Sequence, residues 1–146
     1  MHISFALLAD AANLSQEGKL NILGVFDALQ VATLPAVHPR AHLVVRVKGH
    51  REDAGVHAIH IRWLSPKGIE LWGTTGQLEI GATPPGVEEM DLPLIAAIDL
   101  PLDQPGLYHV QVSLGDQLAA DVPVQVRAGT MQAPVMQMPA IGGLVS

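Results

Sequence analysis

Over most of the chain apolar and polar residues alternate with a period of two. Leu43, Val45 and Val47 alternate with His42, Arg46 and Lys48, Val44 alone breaking the pattern. His57, Ile59, Ile61 and Trp63 fall on one face of the next run, Ala58, His60 and Arg62 on the other. Tyr108, Val110, Val112 and Leu114 alternate with His109, Gln111 and Ser113; Leu118, Ala120, Val122, Val124 and Val126 alternate with Asp121, Gln125 and Arg127. Side chains of a strand point alternately to its two faces, so each run reads as a half-buried strand. Turn-forming clusters separate the runs: Gln16-Glu17-Gly18, Pro35 to Pro39, Gly49 to Gly55, Pro66-Lys67-Gly68, Pro84-Pro85-Gly86, Asp103 to Gly106 and the tight Gly115-Asp116.

Strands are predicted near 3–9, 19–26, 28–33, 41–49, 55–65, 69–73, 76–81, 92–100, 107–114 and 117–127, with two of these merging or failing, hence about eight or nine in all. Ala9 to Leu14 is the one segment expected to form a helical turn. No alternation of strands with helices appears, which argues against a doubly wound parallel sheet. The expectation is an all-β antiparallel β-sandwich, immunoglobulin-like or jelly-roll-like, over residues 1–127. Pro93, Pro101 and Pro123 lie in or beside strand runs; proline has no N–H for the ladder, which places those runs at edges or bulges.

At 146 residues the chain suits a single domain with its own core. Charged residues make up 15% against roughly 25% in an average soluble protein, and apolar residues 49%. So little charge to cover the surface points to apolar surface meeting another surface, a first sign of oligomerisation. Aromatics are scarce, so the core must be aliphatic. With no cysteine, disulfides and thiolate chemistry are excluded. The start has no signal-like pattern and no apolar run is long enough to cross a bilayer, so a cytoplasmic protein without membrane contact is expected. A net charge of −6 argues against nucleic acid as a partner.

The charges fall in blocks. Arg40, Arg46, Lys48, Arg51, Arg62 and Lys67 are opposed between residues 40 and 67 only by Glu52 and Asp53. Residues 68–126 hold nine acids and no Lys or Arg. Either the two signs pair across strands of one molecule, or a basic face carrying Arg46, Lys48 and Arg62 docks on an acidic face of a neighbouring copy. Residues 128–146 carry no charge yet include Met131, Val135, Met136, Met138, Ile141 and Leu144. This tail is a loose terminus, a last strand of its own domain, or an arm laid on a partner.

Candidate chemistry is sparse. His57 and His60 point to opposite faces of a strand, and Pro39 separates His38 from His42, so no local histidine pair forms a metal site; only a cross-strand pair such as His42 with His60 could. No serine sits in a nucleophile-elbow pattern, no phosphate-binding glycine loop exists, and Glu88, Glu89 and Asp91 read as a solvated acidic loop. Neither an enzyme nor a cofactor or metal is therefore expected. Trp63 shares a face with Ile59 and Ile61 and belongs to the core. Trp72 is the better candidate for an exposed groove that takes a sugar or small ligand.

The opening segment, Ala6-Leu7-Leu8-Ala9-Asp10 followed by Gly18 to Asp27 and by Pro35-Ala36-Val37-His38-Pro39, resembles a family of small uncharacterised bacterial proteins. The resemblance is strongest over the first fifty residues or so and implies no catalytic residues. The expectation is thus a non-enzymatic sandwich that acts by self-association or by binding a protein partner, with a ligand-binding module as the alternative. Arg46, Lys48, Arg62, Trp72 and the apolar residues of the tail are its candidate contacts.

Overall fold

A computed structural model describes residues 1–129. Nine strands follow one another: β1 (His2–Leu14), β2 (Leu20–Phe26), β3 (Ala28–Val31), β4 (Ala36–His50), β5 (Gly55–Leu64), β6 (Glu70–Ile80), β7 (Glu89–Leu102), β8 (Gly106–Leu114) and β9 (Gln117–Ala128). They form a four-stranded sheet in the order β2-β1-β4-β7 and a five-stranded sheet in the order β3-β9-β8-β5-β6. All pairings are antiparallel except that of β3 with β9. The expected runs 69–73 and 76–81 join as β6. The tail residues Met131, Val135, Met136, Met138, Ile141 and Leu144 lie outside the described residues.

Alternation does what it predicts. Leu43, Val45 and Val47 of β4 face Ile59, Ile61 and Trp63 of β5 and Tyr108, Val110 and Val112 of β8 across a single core. Each such side chain contributes about 1.5–3 kcal/mol on burial. Val44, the exception, points to the outer face of the four-stranded sheet, in register with Leu7 and Ile95, and is nevertheless fully buried. Ala9 to Leu14 is strand rather than a helical turn, because it pairs with Leu20 to Val25 of β2. Cross-strand pairing overrides a local preference that is weak over so few residues.

Two devices lock the core. The buried Trp63 ring stacks on Tyr108 with centroids 5.0 Å apart. The Tyr108 hydroxyl accepts the backbone N–H groups of Asp103 and Gln104, each at 3.0 Å, and donates to the Asp103 carboxylate at 2.5 Å. A tryptophan on the strand next to a tyrosine that ties down the preceding corner, between β4–β7 and β5–β8 strand pairs, is the immunoglobulin arrangement rather than the jelly roll. Burial, then the Asp103 hydrogen bond, raises the Tyr108 pKa above the ordinary phenol value.

The three prolines lie where the ladder does not need them. Main-chain carbonyls of Asp99 and Pro101 point away from β4, so the odd positions of β7, Pro93 and Pro101 among them, face the open edge. In β9 the Gln125 N–H reaches Asp27 beside β3. Pro123 thus points to the same side, beyond the reach of β3, whose pairing starts at Gln125.

Candidate functional site

Strand edges are where an immunoglobulin-like sandwich meets other strands, since each presents a row of unsatisfied N–H and C=O groups. The β7 edge is blunted twice. Pro93 and Pro101 remove donors, and the indole N–H groups of Trp72 and Trp63 occupy the carbonyls of Asp99 and Pro101, both at 2.9 Å. At β2 the ladder is interrupted opposite Asp10 by Gly24, whose φ is +69°. β3 is only four residues long.

The β6 edge carries none of these protections. It runs for 11 residues without proline, lysine or arginine. Its register fixes which groups are free. The Gly115 N–H bonds the Ala58 carbonyl, so even positions of β5 face β8 and odd positions face β6. With Ile59 opposite Gly76 and Ile61 opposite Thr74, the even positions of β6 are spent on β5. Gly73, Thr75, Gln77 and Glu79 turn their main-chain groups outward, and these have no partner among the described residues.

Beside this edge lies an apolar trough between the two sheets. One cleft, of ≈ 260 Å³, is lined by Trp72, Ile98 and Asp99. A second, of ≈ 370 Å³, is walled by Val37, Leu71, Pro101 and Leu102, with Asp103 at its rim. Trp72 is half-buried and its N–H is already engaged. A cleft thus lies beside Trp72, whose N–H is turned to the protein rather than to a ligand.

Charged candidates take different places. Arg46 pairs with Asp91, Lys48 lies 3.3 Å from Glu89 and 3.2 Å from Asp91, and His50 is 3.6 Å from Glu89. The basic and acidic blocks thus pair across β4 and β7 of one molecule, as Lys48 opposite Asp91 and His50 opposite Glu89 require. Arg46, through a side-chain hydrogen bond, holds Asp91 below the usual carboxylate range, and Asp91 raises Lys48 in turn. Arg62 donates to Gln111 at 2.6 Å on the outer face of the other sheet, away from Arg46 and Lys48. These three cations therefore do not make one patch.

A further cleft of ≈ 420 Å³ lies where the turn between β1 and β2 comes over the outer face of the four-stranded sheet, between Lys19, Leu20 and Ile22 of the hairpin and Phe5, Arg46 and Pro93 of the sheet. The opening segment therefore builds a flap as well as a core strand. It leaves Leu23 71% and Val25 60% exposed.

Of the histidines, His42 and His60 lie on different sheets and do not meet. His60 contacts Thr75 at 3.0 Å and His109 contacts Asp121 at 2.7 Å. Sequence spacing missed a different group: His2 on β1, His50 on β4 and Glu89 on β7, whose ligand atoms lie within 4.8 Å of one another. Only the strand order brings them together; residues 2, 50 and 89 carry no common spacing.

Fold and edges define an immunoglobulin-like β-sandwich in which, among the described residues, β6 is the longest edge strand without proline. The chain belongs to a family of unknown function, DUF6941, whose model matches residues 4–127. That accords with the resemblance carried by the opening segment. Among solved structures it is similar to an immunoglobulin-like protein from Pseudomonas aeruginosa, with 14% identity, 86% of this chain and 95% of that one covered, and a TM-score of 0.37. No curated protein matches it. None of the helices among the described residues is long and apolar enough to cross a membrane.

Proposed function

We propose that this protein is a non-enzymatic association module that self-assembles by strand addition at the β6 edge. The observation that carries the reading is the contrast between β6, long and unprotected, and the other three margins, which are shortened, interrupted or capped. In strand addition main-chain hydrogen bonds give affinity, and pockets for alternate side chains give specificity. The trough along Trp72 and Leu71 supplies such pockets beside the edge.

A second copy fits the edge chemically. Antiparallel pairing of two β6 strands about Thr75 sets Gly73 against Gln77 and Leu71 against Glu79, so no two carboxylates face each other. This is a two-fold, self-complementary contact. Arg46 and Lys48, expected as interface cations, are paired within the molecule with Asp91 and Glu89.

The test is sedimentation velocity across a concentration series, with wild type compared to Thr75→Pro. Association that disappears in the variant supports the reading. A monomer at all concentrations, or association that the proline leaves unchanged, overturns it.

A second reading, capture of a small ligand beside Trp72, rests on the two clefts. Apart from carboxylates their walls are apolar, and the indole N–H is spent on Asp99, which suits an apolar side chain better than a sugar. Titration of Trp72 fluorescence with candidate ligands separates this reading from strand addition, because Thr75→Pro leaves the clefts intact.

A further inference from the structure

The geometry points to a divalent transition-metal site formed by His2, His50 and Glu89 at one end of the four-stranded sheet. The three side chains come from three neighbouring strands, β1, β4 and β7. Glu89 stands directly opposite His50 in the β4–β7 ladder, and His2 stands opposite Lys48, one step along the same face. Their outward direction is set by the same parity that turns Arg46, Lys48 and Asp91 outward. The ligand atoms, all within 4.8 Å of one another, need only side-chain rotation to surround one ion at the roughly 2.0–2.2 Å that zinc takes from nitrogen and oxygen.

Asp53 holds the site together from behind. Its carboxylate accepts the backbone N–H of His50 at 2.8 Å and lies 2.8 Å from the amino group of Met1. One side chain thus fixes the main chain beside both histidines, the kind of outer support that orients metal ligands. The His2 and His50 rings already lie 6.5 Å apart, inclined at 33°. Lys48, 3.3 Å from Glu89, is the competing cation. It keeps a second acceptor in Asp91 at 3.2 Å, so a metal can take Glu89 without stranding the ammonium. Arg51 is the other cation nearby, and it points to the Val87 carbonyl at 3.3 Å. Two imidazoles and a carboxylate are the donor set that suits Zn²⁺, Ni²⁺ and Cu²⁺ and not Mg²⁺ or Ca²⁺, which prefer all-oxygen shells.

The experiment is calorimetric titration of the full chain with Zn²⁺ alone, beside His2→Ala, His50→Ala and Glu89→Gln, with His109→Ala as control. Circular dichroism checks that each variant is folded. One equivalent should bind, and each ligand variant should weaken that binding by roughly tenfold or more while His109→Ala leaves it unchanged. Imidazole nitrogen resonances of His2 and His50, and not of His109, should shift on zinc addition. Absence of a stoichiometric site, a smaller effect in either His2→Ala or His50→Ala, or loss on His109→Ala would overturn the assignment.

Discussion

Proline substitution at two adjacent positions of β6 separates the edge argument from a general loss of stability. At Thr74 the N–H bonds the Ile61 carbonyl inside the sheet, since Ile61 and Thr74 are paired and point toward each other. Thr74→Pro removes that bond and leaves a carbonyl beneath the sheet without a donor, a cost of about 1–3 kcal/mol. At Thr75 the N–H faces outward. Thr75→Pro loses no ladder bond, only the exposed contact of the threonine hydroxyl with His60 at 3.0 Å. That loss is about 0.5–1 kcal/mol, partly offset by the about 0.4–1 kcal/mol that proline removes from unfolded-chain entropy. In a two-fold pairing centred on Thr75, however, both reciprocal hydrogen bonds of the central pair vanish, at about 1 kcal/mol each. Association should therefore weaken by roughly 30-fold. Thermal unfolding measured on dilute protein should show Thr74→Pro clearly below wild type and Thr75→Pro close to it. Sedimentation at high concentration should show Thr75→Pro monomeric where wild type associates. Equal destabilisation by the two prolines would refute the register from which the free edge is derived.

Other outcomes follow from the same geometry. Tyr108→Phe leaves the N–H groups of Asp103 and Gln104 without their acceptor and should cost about 1–3 kcal/mol in urea unfolding, with the fold retained. Gly24→Ala places a Cβ, at φ +69°, into the Asp10 carboxylate; hydrogen exchange of Leu20–Phe26 should accelerate while the core strands stay protected. Asp91, held low chiefly by Arg46, and Asp53, held low chiefly by the Met1 amino group, favour the folded state at neutral pH. That stability is lost as pH falls below the ordinary carboxylate range, and the acid limb of a pH–stability curve should flatten in Asp91→Asn. Tyr108, raised by burial, acts at the other end: folding favours its neutral form, so stability should fall as pH rises beyond about 10, and Tyr108→Phe should flatten that limb.

The fold was largely legible because its causes are local or periodic. Period-two runs locate β5, β8 and β9 to within about a residue, whereas β4 starts earlier than the expected run, because Ala36 to His38, inside the expected Pro35 to Pro39 turn, pair with Leu100 to Leu102 of β7. What escaped depends on pairing. Ala9–Leu14 has no strand signature of its own and becomes strand because β2 lies beside it. Gly73 and Gly76 look like a break between two runs, yet β6 passes through both, because β5 supplies a partner along its whole length. The charge blocks left two outcomes open. Which one holds follows from strand order: β7 adds beside β4, and this sets Asp91 against Lys48 and Glu89 against His50. The His2–His50–Glu89 group was out of reach for the same reason, its members being 48 and 39 residues apart with nothing between them to announce a meeting.

Edge protection is the part of this fold where sequence and strand pairing are most closely joined. Proline at an outward-facing strand position costs no hydrogen bond within the sheet and denies one to an incoming strand. Positions 93, 101 and 123 all meet that condition, which random placement along β7 and β9 would meet only about half the time each. Trp63 and Trp72 add a second restraint. Both indoles reach across from the opposite sheet to carbonyls that an added strand would need. β6 has outward groups of the same kind at Gly73, Thr75, Gln77 and Glu79 and carries neither device. Both Trp72 and the free edge belong to this one strand: its tryptophan closes the neighbouring margin while its own outer side stays open. Under the proposed strand addition, an incoming strand would meet free main-chain groups at β6 and capped ones at β7, with the trough beside Trp72 on the side of its inward side chains.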